Sequence, residues 1–536
     1  MFAFAILIGV YSYLLFILGI THLLYPWAVS LVTILWFCGV VFWFRNDVKK
    51  LVKVIPKLRV SVFSLSTFSK ACIVLLTLLW GINLIGVFAP EISFDALWYH
   101  LTIPKIFAEN NEFFFIPGGL YYYSLMPKLI DMLYIPAVML GSDTLAKAIH
   151  YGFGILTLIV LYKISKKYLS TPISLLVLLI FSSNLVVAWQ ATTAYIDLGR
   201  TFFETMAIYG IVLYIHEKKK LWLTESAIMI GFAITSKLIA VFSLPIFVII
   251  LLYLHKDSLS KGLVISIKYV LTALIIPLPY FIFSTLNTGN PFYPLFTQYY
   301  SQIVEPGTRS LFQILADYWN LFVNAADPIN PLYLIVFPIV IFLYKRLTKQ
   351  ERLFVIYAGL SLVVWYFIPR TGGGRFILPY LPVFSLVIGL VLSKLTNSYL
   401  KKAIIGIGLI VALTTIGYRS VASSKYLSVV FGQQTRSEYL AENLNFSFGD
   451  FYDTDGYLSQ TLTASNTVLV YDVHNLYYAD FNFIHESYVQ SGDEFTYILA
   501  PSMMRLPERF YAWKPLYDNP ITGLTLYSQE GSTWVY

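Results

Sequence analysis

From Glu91 to Lys105 the chain reads Glu-Ile-Ser-Phe-Asp-Ala-Leu-Trp-Tyr-His-Leu-Thr-Ile-Pro-Lys. This puts a carboxylate at Asp95, aromatics at Trp98 and Tyr99, an imidazole at His100 and an ammonium at Lys105. The segment follows an apolar run, Ala71 to Ala89, that is long enough to cross a bilayer. An acid at that boundary is costly to desolvate, so it marks function more often than packing. A carboxylate there can take a proton from an attacking hydroxyl. If the substrate is lipid-linked, its tail stays in the bilayer while its phosphate head reaches the same level. Cleaving a sugar–phosphate bond at that level also needs cationic groups or a metal to hold the leaving phosphate.

The elements that must position these groups follow from composition. The chain has 536 residues, 58% of them hydrophobic, 17% aromatic and only 12% charged. Soluble domains carry about 25% charged residues, and apolar runs of about 20 residues recur here through Arg419. A polytopic α-helical membrane protein is expected, with about 13 transmembrane helices near 3–22, 25–44, 70–89, 145–162, 172–189, 196–215, 222–237, 239–255, 264–286, 330–344, 353–369, 376–393 and 403–419. The net charge of +8 does not indicate a nucleic-acid binder, because the Lys and Arg residues lie between the apolar runs. Cys38 and Cys72 both sit inside such runs, so neither a disulfide framework nor a Cys/His metal site is indicated. Met1-Phe-Ala-Phe-Ala-Ile has no basic leader and reads as the start of a retained first span.

The connections alternate in charge. Arg45 to Lys70, Lys163 to Lys167, Lys218 to Lys220, Lys256 to Lys268, Lys345 to Arg352 and Lys394 to Lys402 are basic. Residues 91–144, 190–195, 287–329 and 370–375 are poor in Lys and Arg. Positive-inside bias puts the first set in the cytoplasm, and Asp95 and the tail after Arg419 outside. Two segments decide the parity. Ser124 to Gly141 is expected as an amphipathic helix at the outer interface, with Lys128 and Asp131 on its polar face. Residues 222–255 are expected to cross twice, breaking near Thr235-Ser236-Lys237. The spans are nearly free of mid-span charge, unlike those of most transporters.

Three regions result. Residues 1–69 form an N-terminal two-helix hairpin and basic loop. Residues 70–419 form the membrane domain, with long external loops 91–144 and 287–329. Residues 420–536 read as a small extracytoplasmic α/β domain, with strand-like runs at Thr467–Tyr471, Phe495–Leu499, Gly523–Tyr527 and Ser532–Tyr536 and helical pattern near Ser437–Asn443. The tail is expected to cover the acceptor side of the cavity beneath the first loop. On this topology Asp95 can serve as base, and Lys105, Lys237, Arg370 and Arg375 can hold phosphate, Arg through its bidentate fork and Lys as a point charge.

At these residues the chain resembles the GT-C superfamily of membrane glycosyltransferases, nearest to bacterial relatives of the protein O-mannosyltransferases and of the lipid A aminoarabinose transferase. Phe94-Asp95-Ala-Leu-Trp98-Tyr99-His100-Leu with Pro104-Lys105 resembles the superfamily's first-loop motif. In order, Thr192-Thr-Ala-Tyr195-Ile-Asp197 resembles its second acidic loop, and Gly231 to Lys237 its Gly…Thr-Lys stretch. Thr288 to Pro294 resembles a further recurrent loop, and Gly374-Arg375 through Pro382 the late Arg…Pro…Pro helix. The resemblance implies inverting transfer from a polyprenyl-phosphate sugar to a lipid, glycan or protein acceptor, in a bacterial plasma membrane. It implies Asp95 as the catalytic carboxylate and Asp197 as a second acid that orients the acceptor or helps bind a cation. Lys237 and Arg375 would be donor-phosphate contacts, while Tyr99, His100 and Glu91 are candidates for the donor pocket. No cofactor is assigned; a divalent cation is compatible, with Asp95 and Asp197 as its ligands. Ala96 stands where many mannosyltransferases have a second acid, which puts mannose in doubt. No Trp-Trp-Asp-Tyr-Gly motif occurs, against an oligosaccharyltransferase catalytic subunit.

Plainer readings exist for each group. Asp95 could end a helix, Lys105, Lys237 and Arg375 could snorkel, and Asp197 could serve only the positive end of its own helix. The competing functions are a transporter or flippase of lipid-linked saccharides and a ligase or polymerase of surface polysaccharide.

Overall fold

The computed structural model describes residues 1–300, 310–325, 327–368, 373–463, 465–529 and 533–536. The chain is helical as far as Ser424 and then builds a small sheet. It opens with α1 (Phe2–Ile20), α2 (Pro26–Phe63) and α3 (Thr67–Phe88). The basic stretch expected as a loop from Arg45 is therefore helical to Phe63. Helix α1 is no detached accessory. Its Ser12 hydroxyl donates to the Leu129 carbonyl at 2.8 Å, and Tyr11 stacks on Trp36 of α2 at 4.8 Å.

Next come α4 (Thr102–Glu109), α5 (Leu129–Leu133), α6 (Ile135–Met139), α7 (Asp143–Ser165), α8 (Thr171–Ser182), α9 (Leu185–Gln190), α10 (Asp197–Glu217) and α11 (Leu221–Ser236). They are followed by α12 (Leu244–Leu254), α13 (Leu259–Ile275), α14 (Leu278–Thr288), α15 (Leu311–Val323), α16 (Leu332–Leu343), α17 (Lys349–Phe367), α18 (Leu381–Lys394) and α19 (Ser398–Ser424). Six helices among the described residues are long and apolar enough to cross a membrane, or seven if α13 and α14 form one span. Others of the expected spans fall on shorter apolar helices, among them Thr171–Ser182, Leu221–Ser236, Leu238–Leu254 and Leu378–Lys394, and the chain is a multi-pass helical membrane protein. The expected span 264–286 is bent by 62° between α13 and α14, where Pro277 and Pro279 interrupt the helix. The expected span 172–189 divides at Asn184, whose side-chain amide donates to the Ile180 and Phe181 carbonyls at 3.0 and 2.8 Å. The break expected near Lys237 is present: that residue is extended, between α11 and a short 3₁₀ turn, Leu238–Ser243.

Ser124 to Gly141 is not a helix on the outer surface. Pro127 and Pro136 divide it into the short α5 and α6, and both are buried in the helical core. Gly199 permits this, since a Cβ there would lie 2.5 Å from Ile130 Cδ1. Lys128 and Asp131 go inward with the segment, at 2% and 3% exposure.

Helix α10 is the most enclosed of the long helices and packs against α7 and α11. It carries charges that the sequence reading discounted. Arg200 Nε donates to Glu204 Oε1 at 2.7 Å, and both side chains are buried. Arg200 also reaches the Tyr380 hydroxyl at 3.2 Å, and Glu204 accepts from the Ser243 hydroxyl at 3.1 Å. Removing one partner leaves a buried charge alone, so Glu204→Ala is expected to destabilise the fold by about 3–5 kcal/mol. Thermal unfolding of the detergent-solubilised protein would check this; an unchanged midpoint would show the pair to be dispensable.

After α20 (Leu427–Val430), α21 (Arg436–Asn443) and α22 (Tyr457–Thr461) the tail forms β1 (Thr467–Val470), β2 (Asn482–His485), β3 (Glu494–Phe495), β4 (Tyr497–Pro501), β5 (Lys514–Asn519), β6 (Leu524–Ser528) and β7 (Trp534–Val535). The main sheet has the order β2-β1-β4-β6-β5, and β3 pairs with β7. Strand β1 runs parallel to β2 and β4, while β6 is antiparallel to β4 and β5. Alternate residues enter opposite cores: Val468 and Val470 join one, Leu469 and Ile498 the other. With both faces covered, the central strands read as continuous apolar runs.

Several part-buried contacts latch this tail to the membrane domain. Arg436 meets Asp143 at 2.8 Å, and the Tyr478 hydroxyl reaches the Glu91 carbonyl and Asp143 at 2.7 and 2.8 Å. The Leu120 amide donates to Ser487 Oγ at 3.2 Å.

Candidate active site

Asp95 stands immediately before a single π turn, Ala96–His100, closed by the Leu101 amide on the Ala96 carbonyl at 2.9 Å. Such turns are often found at functional sites. The Asp95 amide donates to the Tyr195 hydroxyl at 3.1 Å. The Tyr99 hydroxyl donates to Asp95 Oδ2 at 2.8 Å, and Arg375 Nη1 donates to the same oxygen. Among the described residues Oδ1 accepts no hydrogen bond. Burial alone would raise the Asp95 carboxyl, but Arg375, His100 and Tyr99 together hold it below the ordinary carboxylate range.

Arg375 joins this carboxylate to a second one. Its Nε donates to Asp197 Oδ2 at 2.7 Å, and Lys237 Nζ donates to Asp197 Oδ1 at 2.6 Å. Both Asp197 oxygens are thereby committed, with the side chain 1% exposed. Asp197 opens α10, where a negative charge is favourable. His150 fixes that end by accepting the Leu198 amide on Nε2 at 3.0 Å. Two glycines aim Arg375. Gly373 has φ +72°, and the Gly374 amide donates to Asp327 Oδ1 at 2.8 Å, close enough that a Cβ at Gly374 would lie 2.4 Å from the Asp327 carbonyl oxygen. The guanidinium lies over the Tyr195 ring at 4.4 Å.

These groups face a cavity of about 470 Å³, to which Asp95, Tyr99, His100, Lys237 and Arg375 all contribute. Leu238, Ile239 and Phe376 give it an apolar wall. Lys128 and Asp131 line it too, unexpectedly. His100 Nδ1 lies 2.9 Å from Asp131 Oδ1, and Lys128 Nζ lies 3.2 Å from Asp131 Oδ2. His100 thus pairs with Asp131, not with Asp95. Tyr122, Tyr123 and Trp98 complete the aromatic side, Tyr99 stacking on Tyr123 at 4.0 Å.

Three expected site residues lie elsewhere. Asp197 is not among the residues that line the cavity; it holds two of its cations, Lys237 and Arg375. Lys105 is not a phosphate contact. Its Nζ is taken by the Tyr477 and Ala479 carbonyls at 3.0 and 2.7 Å, latching α4 to the tail. Glu91 is not in the donor pocket. Its carboxylate accepts the Ile92, Ser93 and Ala194 amides at 2.9, 2.8 and 2.6 Å, tying the first loop to the turn before α10. Arg370 falls outside the described residues. As for a divalent cation, no three His, Cys, Asp or Glu side chains gather with ligand spacing among the described residues.

Residues 144–283 match the family model for dolichyl-phosphate-mannose-protein mannosyltransferase. The match runs from α7 to α14, so it contains Asp197 and Lys237 but neither Asp95 nor Arg375. Two structures of ArnT from Cupriavidus metallidurans share the fold. The one bound to undecaprenyl phosphate is 11% identical, aligned over 86% of this chain and 98% of that one with a TM-score of 0.59. The apo form is 12% identical over 86% and 98%, with a TM-score of 0.56. No curated protein matches the sequence. The same helical scaffold extends across nearly all of each ArnT chain, so this chain shares the fold of those structures, and its central helices match the mannosyltransferase family model.

Proposed function

We propose that the protein transfers a sugar from a polyprenyl-phosphate donor to an acceptor hydroxyl on the outer face of the membrane, with inversion at the anomeric carbon. The observation that carries this is Arg375 bridging Asp95 and Asp197 at the wall of the cavity. It puts one carboxylate with a free oxygen beside two cations with unused N–H donors. Arg375 Nη2 has no partner among the described residues, and Lys237 spends one donor on Asp197. The similar ArnT structure holds undecaprenyl phosphate, and the apolar wall of Leu238, Ile239 and Phe376 suits the first units of such a chain.

In the reaction the acceptor hydroxyl gives its proton to Asp95 Oδ1, and its oxygen bonds to the anomeric carbon. The bond from that carbon to the phosphate oxygen breaks on the opposite face. Its electron pair leaves with the polyprenyl phosphate, whose charge Arg375 and Lys237 balance. The shared arginine couples binding to basicity. In the free enzyme it holds Asp95 ionised but weakly basic. A phosphate that draws the guanidinium toward itself relaxes that hold, and the Asp95 pKa climbs back toward the ordinary carboxylate range.

The acid limb of kcat/KM, which reports the free enzyme, is therefore expected below the ordinary carboxylate range. The limb of kcat, which reports the complex, is expected at higher pH. Below either limb Asp95 carries its proton and the rate falls. Coincident limbs would mean that Arg375 stays on Asp95 throughout turnover. The function itself is tested by transfer from radiolabelled polyprenyl-phosphate sugars in proteoliposomes, with the anomeric configuration of the product read by NMR. A product of retained configuration, or movement of intact donor across the bilayer without transfer, would sink the proposal.

A further inference from the structure

The basic connection Lys256 to Lys268 is helical from Leu259 on, so its last lysine lies well inside α13. Helices α11 and α13 meet closely at Gly231, where a Cβ would lie 2.6 Å from Ile276 Cβ and 2.7 Å from the Ala273 carbonyl oxygen. Nearer their starts the two helices leave a cavity of about 510 Å³ between them. Lys220 and Thr224 line it from α11, and Ser260, Lys261 and Lys268 from α13. Leu223, Val264 and Ile265 give it an apolar floor.

The three lysines are exposed and lack a counter-charge. Lys219 beside them pairs with Glu217 at 3.3 Å, but Lys220, Lys261 and Lys268 meet no acid among the described residues, and no Asp or Glu lines the cavity. Lys268 falls within the apolar run that begins at 264, where an ammonium is costly without a partner. Lys261 stands seven residues earlier, about 10 Å along the helix. If Lys268 snorkels outward, it moves toward Lys261 and Lys220, which repel it. An anion among the three removes both costs.

The apolar floor decides which anion. Leu263, Ile267 and Leu271 recur every four residues on α13 and are 52%, 57% and 57% exposed, which marks its lipid-facing stripe. Val264, also 52% exposed, adjoins that stripe and lines the cavity, so the groove opens sideways to hydrocarbon. A water-soluble anion fills only the charged end, whereas a lipid fills both. Lys220 and Lys237 stand at opposite ends of the 16 residues of α11, about 24 Å apart. The groove thus belongs to the leaflet opposite the one that Asp95 faces, and positive-inside bias makes that the cytoplasmic one.

We propose that this groove binds one anionic glycerophospholipid of the cytoplasmic leaflet. Its phosphate sits among Lys220, Lys261 and Lys268, Thr224 and Ser260 donate to its head-group oxygens, and one acyl chain runs over Leu223, Val264 and Ile265. The inference stands on the cavity and its charges and not on the glycosyl-transfer reading.

Native mass spectrometry of the full-length protein in detergent measures the affinity for the first bound lipid, with phosphatidylglycerol, phosphatidylethanolamine and undecaprenyl phosphate as probes. The cavity variant carries Lys220→Gln, Lys261→Gln and Lys268→Gln. A control carries the same charge change in other basic connections, at the exposed Lys163→Gln, Lys167→Gln and Lys402→Gln. Val264→Trp fills the groove without changing charge, and an unchanged melting midpoint reports an intact fold. Wild type and control are expected to bind phosphatidylglycerol alike and in preference to phosphatidylethanolamine. At about fivefold per lysine, the cavity variant is expected to bind phosphatidylglycerol about a hundredfold more weakly. Val264→Trp should lose about tenfold, as about two methylene groups leave the floor. Equal losses in the cavity variant and the control would mean diffuse attraction to a basic surface and would overturn the site. So would equal binding of the two phospholipids by the wild type, or full phosphatidylglycerol binding by Val264→Trp. Undecaprenyl phosphate binding that falls in the cavity variant while phosphatidylglycerol binding holds would overturn it in favour of a polyprenyl site.

Discussion

Asp95→Asn is expected to slow transfer by about a hundred- to ten-thousand-fold while the donor remains bound. That is the range by which a positioned general base contributes. The amide keeps the shape of the carboxylate and can still accept from Tyr99, so the local fold should survive. What it loses is the charge and the lone pair on Oδ1 that takes the proton. It also leaves Arg375 Nη1 against a neutral oxygen in place of a charged one, so donor affinity should hold or rise. Single-turnover transfer and binding of labelled donor separate the two quantities. Equal transfer by wild type and variant at equal folded yield would remove Asp95 from the chemistry.

Some of this site was legible from residue type and membrane side. Asp95, Tyr99, Lys237 and Arg375 meet at one cavity although they lie far apart in sequence. The positive-inside pattern had put them all on one face, and the order of short motifs pointed to the same set. Lys105 was misread because its partners are remote. Lys105 ends on carbonyls at Tyr477 and Ala479, and nothing in its neighbourhood foretells a sheet that begins at Thr467.

Lys128 and Asp131 were misread for a different reason. An interfacial helix needs polar residues recurring on one face, and between Ser124 and Gly141 these two are the only charges. With Leu129, Ile130, Met132 and Leu133 around them they had no polar face to join, and that was the available signal for burial. The tail shows the same limit. Apolar runs announced β1, β4 and β6, but β2 and β5 are the edge strands, with polar residues such as Asn482 and Asp518. His485 and the Ser487 contacts that hold it depend on β2 and could not be read in advance.

The second large effect falls on a residue that touches no substrate. Asp197→Asn is expected to lower kcat/KM by about a hundredfold and to destabilise the protein by about 3–5 kcal/mol. Both of its oxygens are engaged, by Lys237 at 2.6 Å and Arg375 at 2.7 Å, and it is 1% exposed. Neutralising it leaves two cations facing the cavity against the single charge of Asp95. They then repel each other and shift, and a displacement of about 1 Å in a positioning group is enough for a hundredfold loss. The signature differs from that of Asp95→Asn. There kcat falls alone, because the base is gone and the phosphate site is intact. Here donor KM rises with the fall in kcat, because the phosphate site itself has moved. Arg375→Lys should reproduce the Asp197→Asn pattern, since an ammonium cannot reach two carboxylates as the guanidinium does through Nε and Nη1. A fall in kcat with unchanged donor KM in Asp197→Asn would instead place Asp197 in the proton-transfer step.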